Sequence, residues 1–576
     1  MFRSRPGRHP AVVEPPADAA KRLAALAADY WDARMANEPL NATALGDRRF
    51  DGRLADISPE GRSRIKRQYQ DVVARCRALP ESGLSERDRL TRTALLVDAE
   101  SLLDYYSCDL EDWVVDPLQG PQVELMNVES YQPVRTVEEA HAMVERWRAI
   151  GSEIDRQVEN LRAGARGGRI AVRVEVEKVI EELRDQIAKP DSDWALLRPL
   201  SVEHPDWTEE EKRWFKAGLE SAVKESARPG FVRYLQCLTA EILPKARPQE
   251  RPGIMHVTGG AEAYAKLIRV HTSLDLTPDE LHKTGLMEVA RINKETQLLG
   301  EKVLGVGDRK EVLKRLRTDS ALYFSNRDEV AATAEAALKR ANAAIAKWFG
   351  RLPETPCEVV RMKEHEEKHS TIAYYRPPAA DGSRPGQYYI NTSAPETRPR
   401  YEAEALAFHE SVPGHHLQLA IAQELKGIPE FRRNSGVTAF IEGWGLYAER
   451  LSDEMGLYSS DLDKLGILSF DAWRACRLVV DTGMHAMGWT RQQAIDYMIE
   501  NTALAKNNIV NEVDRYITWP GQALAYKTGQ LEIRSLRQGA EKRLGSRFDV
   551  RRFHDVLLGN GALPLRALRQ VVGSYQ

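Results

Sequence analysis

A chain of 576 residues with 82 Lys+Arg against 85 Asp+Glu has a net charge of -3, and 42% of it is hydrophobic and 29% charged. This balance excludes the collagen-like and disordered classes. It also gives no global field for gripping nucleic acid or an anionic membrane.

The first 18 residues are basic and dotted with proline, with no apolar stretch of signal-peptide form. They read as a loose arm ahead of one large domain, 19–576. No run approaches 18 apolar residues, so no membrane span is expected. Apolar positions at helical spacing mark helices over 19–36, 138–163 and 173–188. Thr208 to Glu211 and Thr277 to Glu280 have the form of capping boxes, the second with Pro278 at the first helical position. Residues 355–394 differ. The runs CEVVRM, STIAYY and QYYIN, broken by PPAADGSRPG, predict two or three strands next to a histidine cluster. The fold expected is mainly α, a large helical chain with one small sheet. Cys76, Cys108, Cys237, Cys357 and Cys476 are odd in number and form no CxxC pair. That excludes a disulfide framework and a thiolate zinc site, and points to the cytoplasm.

The cluster itself is YEAEALAFHESVPGHHLQLAIAQE, 401–424, where three of the 13 histidines fall within eight residues. His409-Glu410 on a helical run matches the start of HExxH, in which histidines at i and i+4 grip zinc and the glutamate acts as base. Here i+4 is Pro413, and the histidines come at i+6 and i+7. In a straight helix i+7 lies about 10.5 Å along the axis, too far for two ligands each about 2.1 Å from one zinc. Pro413 and Gly414 must therefore distort the helix over 411–414. That favours His415 as the second ligand and leaves His416 as a group behind the ligands or facing substrate, although the reverse assignment stays open. Glu442, set among Phe440, Ile441 and Trp444, is the candidate third ligand, because an unpaired carboxylate there is costly. Glu449 shares its face, as an alternative ligand or as a partner to one.

HESVPGHH, EGWGLYAERL and RYITWPGQALAYKTGQ together resemble a bacterial family catalogued as domain of unknown function 885. So do blocks at 40–61, 259–281, 374–391 and 474–489, which extends the resemblance from about residue 20 onward. Members look like relatives of gluzincin metallopeptidases, with helical folds similar to angiotensin-converting enzyme and neurolysin. The resemblance implies a zinc hydrolase acting on peptides or small peptide-like amides, with Glu410 as general base. It implies an oxyanion donor at Tyr526, with Tyr516 as second choice. A metal-dependent amidohydrolase of a non-peptide metabolite and a silent helical binding protein are the alternatives.

Other residues take their expected places around that site. Arg477, Asp481 and His485 recur every four residues, as an ion-pair ladder or a cleft wall. Tyr388, Tyr389 and Asn391 offer a strand edge that could pair with an extended peptide. Lys527 and Arg515 could hold a terminal carboxylate.

Overall fold

The computed structural model describes residues 16–367, 371–379, 382 and 384–576. Most of the expected arm, residues 1–15, lies outside these. Helix dominates, as the periodicity predicts: the three expected helices are Pro16–Asn37, Val137–Arg166 and Arg173–Ala188. Both expected capping boxes are formed, at Thr208 with Glu211 and at Thr277 with Glu280. Two more, at Thr136 with Glu139 and Thr490 with Gln493, start other helices. In each, two backbone N–H groups that would otherwise lack partners are satisfied reciprocally.

Eight helices, numbered in chain order, form the cores and the site. They are α1 (Val137–Arg166), α2 (Pro278–Leu304), α3 (Arg400–Glu410), α4 (His415–Gln423), α5 (Thr438–Glu454), α6 (Asp461–Ala486), α7 (Lys506–Thr518) and α8 (Leu524–Leu544). One apolar core surrounds α1 and includes Trp147, Trp194 and Phe231. A second fills the space between α2, α6 and α7 around Ile292, Val479 and Ile509. The largest joins the N-terminal helices, the sheet, α3, α4, α5 and α8 around Phe408, Leu417 and Trp444.

The strands are β1 (Cys357–Arg361), β2 (Ala373–Arg376) and β3 (Gly386–Ile390), in the order β1-β3-β2. β3 is parallel to β1 and antiparallel to β2, with Tyr388 opposite both Val359 and Tyr375. This corrects the expectation of a free edge at 388–391. β3 is central, so its ladder is already paired on both sides and cannot accept a substrate strand.

Small residues let the site helices approach closely. A Cβ on Gly443 of α5 would lie 2.5 Å from the Gly529 backbone of α8. A Cβ on Gly466 of α6 would lie 1.9 Å from the Tyr401 carbonyl oxygen of α3. Buried charge then joins four helices. Lys527 of α8 pairs with Asp471 of α6 at 2.5 Å and Glu288 of α2 at 2.9 Å. Asp471 also accepts from Arg450 of α5 at 2.5 Å. These three cations hold the Asp471 carboxyl well below the usual carboxylate range despite its burial, with Arg291 the third. Removing one partner of such a set leaves an uncompensated buried charge.

Gly443→Ala should force α5 and α8 apart and cost about 1–3 kcal/mol. Gly539→Ala, also in α8 but with nothing within 4 Å of the added Cβ, should be neutral or stabilise by up to about 1 kcal/mol. Thermal unfolding of the two variants side by side checks this. Equal melting temperatures would contradict the close approach.

Candidate metal centre

The helix carrying His409 does not run through Pro413. α3 ends at Glu410, Ser411 leaves helical space (φ -104, ψ -113), and α4 restarts at His415. The expected distortion over 411–414 is thus a complete break between two helices. The Val412–Pro413 peptide is cis. Backbone and side-chain bonds hold the break. The Ser411 N–H donates to the Ala407 oxygen at 2.9 Å, and the His416 N–H to the Ser411 oxygen at 3.1 Å. Trp444 Nε1 donates to the carbonyls of Pro413 (2.9 Å) and Gly414 (3.2 Å). The chain turns so tightly over the end of α3 that a Cβ on Gly414 would lie 1.9 Å from the His409 oxygen. Only glycine fits there.

This reversal brings His415 beside His409, with ring centroids 4.6 Å apart and planes at 82°. Glu442 of α5 completes the group. Its Oε2 lies 3.5 Å from His409 Nε2 and 3.6 Å from His415 Nε2. Two ligands of one tetrahedral zinc, each about 2.1 Å from the metal, are about 3.4 Å apart. The observed spacings match that separation and are long for direct hydrogen bonds. The donor set also fits, since two imidazoles and one carboxylate leave a fourth position open. Glu410 belongs to the same group: its carboxylate and the two imidazoles offer atoms all within 4.8 Å of one another. It is half-buried.

Glu449 accepts from His409 Nδ1 at 2.8 Å. It thereby fixes the ring with its Nε2 toward Glu442, as a carboxylate behind a metal-binding histidine does. Burial alone would lower the His409 pKa, but Glu442 and Glu449 outweigh it and push it up to about 9. Glu442 is correspondingly held well below the usual range, its burial opposed by both histidines. Gly445 of α5 makes room for the ring, since a Cβ there would meet His409 at 2.5 Å. His415 Nδ1 is buried without a partner among the described residues.

The remaining sequence candidates divide. His416 faces the sheet: Tyr375 donates its hydroxyl to Nδ1 at 2.8 Å, and Nε2 lies 3.1 Å from the Thr355 oxygen. Burial lowers its pKa to about 4. With both nitrogens committed, it is neither a ligand nor a group facing substrate. Tyr388 is fully buried, and burial, with the charge of Glu410 next, raises its hydroxyl pKa. Tyr389 instead stacks on Tyr374 at 4.8 Å. Asn391 is spent on the Glu367 carbonyl (2.7 Å) and on Ser393. Lys527 is fully buried in the ion network, so it captures no terminal carboxylate.

Arg477, Asp481 and His485 form no ladder. Arg477 donates to Tyr516 and Glu512, both at 2.8 Å. Asp481, pushed up to about 7 by burial, accepts from Tyr264 at 2.5 Å and from the Gly521 N–H. His485 lies between the Ile254 N–H (3.1 Å) and the Tyr516 oxygen (2.9 Å), and burial lowers it to about 4. These side chains join α6 to the segments packed on it.

The two tyrosines differ in one proton. Tyr516 gives its hydroxyl proton to Glu512 at 2.7 Å. Tyr526 lies under the Arg477 guanidinium (4.3 Å to the ring) and accepts from Arg515 at 3.4 Å, and none of the described residues accepts its own O–H. Gly445, and the bracing role of Trp444, are what spacing alone did not single out. Their signal was the run of small and aromatic residues around each ligand.

The chain matches the family described as "Bacterial protein of unknown function (DUF885)" over residues 39–572. Two solved structures resemble it, both described as a "putative lipoprotein". That from Colwellia psychrerythraea is 27% identical with a TM-score of 0.89, covering 96% of this chain and 98% of its own. That from Shewanella oneidensis is 18% identical with a TM-score of 0.73, covering 98% and 100%, and shows the fold alone. No curated protein matches.

His416→Phe should cost about 1–3 kcal/mol by stranding the Tyr375 hydroxyl and the Thr355 carbonyl. It should leave metal uptake unchanged, as denaturant unfolding and metal analysis would show. Full stability with lost metal would instead make His416 a donor.

Proposed function

The chain belongs to the bacterial DUF885 family, and from that premise and its donor geometry we propose that it is a zinc-dependent peptidase. Peptides or small peptide-like amides are the substrates. One observation carries the reading: a single Glu442 oxygen lies at ligand spacing from the Nε2 atoms of both His409 and His415, with Glu410 alongside. The order of donors, two histidines around one helix end and a glutamate from a later helix, supports a gluzincin-like site.

His409, His415 and Glu442 would hold the ion. Zinc bound there supplies Lewis acidity, which acidifies a water and polarises a carbonyl oxygen. Glu410 accepts the water's proton at its carboxylate and returns it to the leaving amine. Tyr526 donates its O–H to the oxygen on which charge develops, while Arg515 fixes that hydroxyl from the other side. Glu449 keeps His409 in the tautomer that ligation needs. The five cysteines are all free, which supports a reducing compartment.

Glu410→Gln should keep stoichiometric zinc and lower kcat on a mixed peptide library by about 10²-fold or more. Turnover at the parental rate would remove Glu410 as base and the mechanism with it. Glu442→Ala should lose the zinc, measured after dialysis by elemental analysis. Full occupancy would move the third ligand to another carboxylate.

A further inference from the structure

Arginine collects where α6, α7 and α8 meet, in excess of the acid that could pair with it. Arg477 of α6 is 2% exposed. Its Nε donates to Tyr516 and its Nη2 to Glu512, both at 2.8 Å. Its Nη1 is buried with no partner among the described residues. Arg515 of α7 spends Nη2 on Gln522 at 2.7 Å and on the Tyr526 hydroxyl at 3.4 Å. Its Nε is likewise buried without a partner among the described residues.

The charges do not balance locally. Among the described residues, Glu512 is the one carboxylate within ion-pair reach of these two arginines, 2.8 Å from Arg477 and 3.5 Å from Arg515. Arg474, 5% exposed on the preceding turn of α6, pairs with no carboxylate among the described residues and lies over the Trp473 ring at 4.3 Å. Three guanidiniums thus share one acid. Buried N–H donors and buried positive charge are both costly when left unmatched. A second carboxylate would satisfy both, since a guanidinium offers its donors in the geometry a carboxylate accepts.

A ligand can reach this place. Trp473, Glu512, Arg515, Gln522 and Tyr526, which surround Arg477, are each partly exposed. The metal centre is adjacent. Tyr526 precedes Gly529 by about one turn of α8, and the Gly529 backbone is 2.5 Å from where a Cβ on Gly443 would lie, next to Glu442. We propose that Arg477 and Arg515 bind a carboxylate of the substrate, beside Tyr526 and the metal centre. The inference rests on the peptidase reading and names its substrate class: peptides with a free carboxylate next to the bond that is cut.

Isothermal titration of the Glu410→Gln chain prepared with zinc, in which turnover should be slow, tests this with two pairs of probes. If the α-carboxylate is held, N-acetyl-Gly-Phe should bind at least about tenfold more tightly than its C-terminal amide, which makes the chain a carboxypeptidase. If a side chain is held, N-acetyl-Gly-Glu amide should exceed N-acetyl-Gly-Gln amide by a similar factor. Either preference supports the site. Arg515→Gln in the same background should abolish the preference, and Arg477→Lys, which keeps the charge but not the planar fork, should weaken it. Melting temperatures establish that both variants are folded. Equal binding within both pairs, no binding of any probe at about 1 mM, or an undiminished preference in folded Arg515→Gln would overturn the proposal. A zinc-loaded parent that cuts peptide acids and amides equally well would sink this inference alone. A parent that prefers the acid but takes up no zinc and cuts no peptide would sink the peptidase reading and leave the carboxylate site standing.

Discussion

The close passage of residue 414 over the last turn of α3 is the constraint on which the site depends. Two histidines six residues apart in sequence point to one place because the helix between them stops and restarts. That requires a residue without a side chain at Gly414. It also requires something to satisfy the carbonyls exposed by the break, and Trp444 Nε1 serves two of them. Trp444 lies two residues from Glu442 on α5, so the helix that braces the turn also delivers the third donor. The turn, the brace and the carboxylate form one mechanical unit.

That unit needs a rigid frame, because displacement of α5 by about 1 Å would spoil ligand spacing. Two features supply it. Glycines at 443 and 529 let α5 and α8 meet at backbone distance. The buried set of Lys527, Asp471, Arg450 and Glu288 then ties α8, α6, α5 and α2 together. Buried charge is expensive unless fully paired, so these helices have few alternative arrangements. Behind His409, Glu449 sets the ring, and Gly445 admits it against α5.

Much of this was legible in the sequence, for specific reasons. Helices announced themselves by periodicity and by capping boxes. The His409-Glu410 pair and the misfit of Pro413 were enough to require a distortion at 411–414. Glu442 stood out as a carboxylate among aromatic residues. What spacing could not convey was pairing in three dimensions. His416 adjoins His415 in sequence, but at the start of α4 neighbours point to different sides, and the sheet claims it through Tyr375 and Thr355. Lys527 looked like an available cation because nothing nearby in sequence marks Asp471 and Glu288 as its partners. Tyr388, Tyr389 and Asn391 looked like an edge because strand order is not written in a single strand.

In the proposed function, His409, His415 and Glu442 converge on one metal ion. X-ray absorption at the zinc K-edge of the zinc-loaded chain tests that most directly. That convergence predicts one tightly held zinc with nitrogen and oxygen neighbours at about 2.0–2.1 Å, including the multiple scattering of two imidazoles and no sulfur. A chain that takes up no stoichiometric zinc, or a zinc with fewer than two imidazoles, would contradict it.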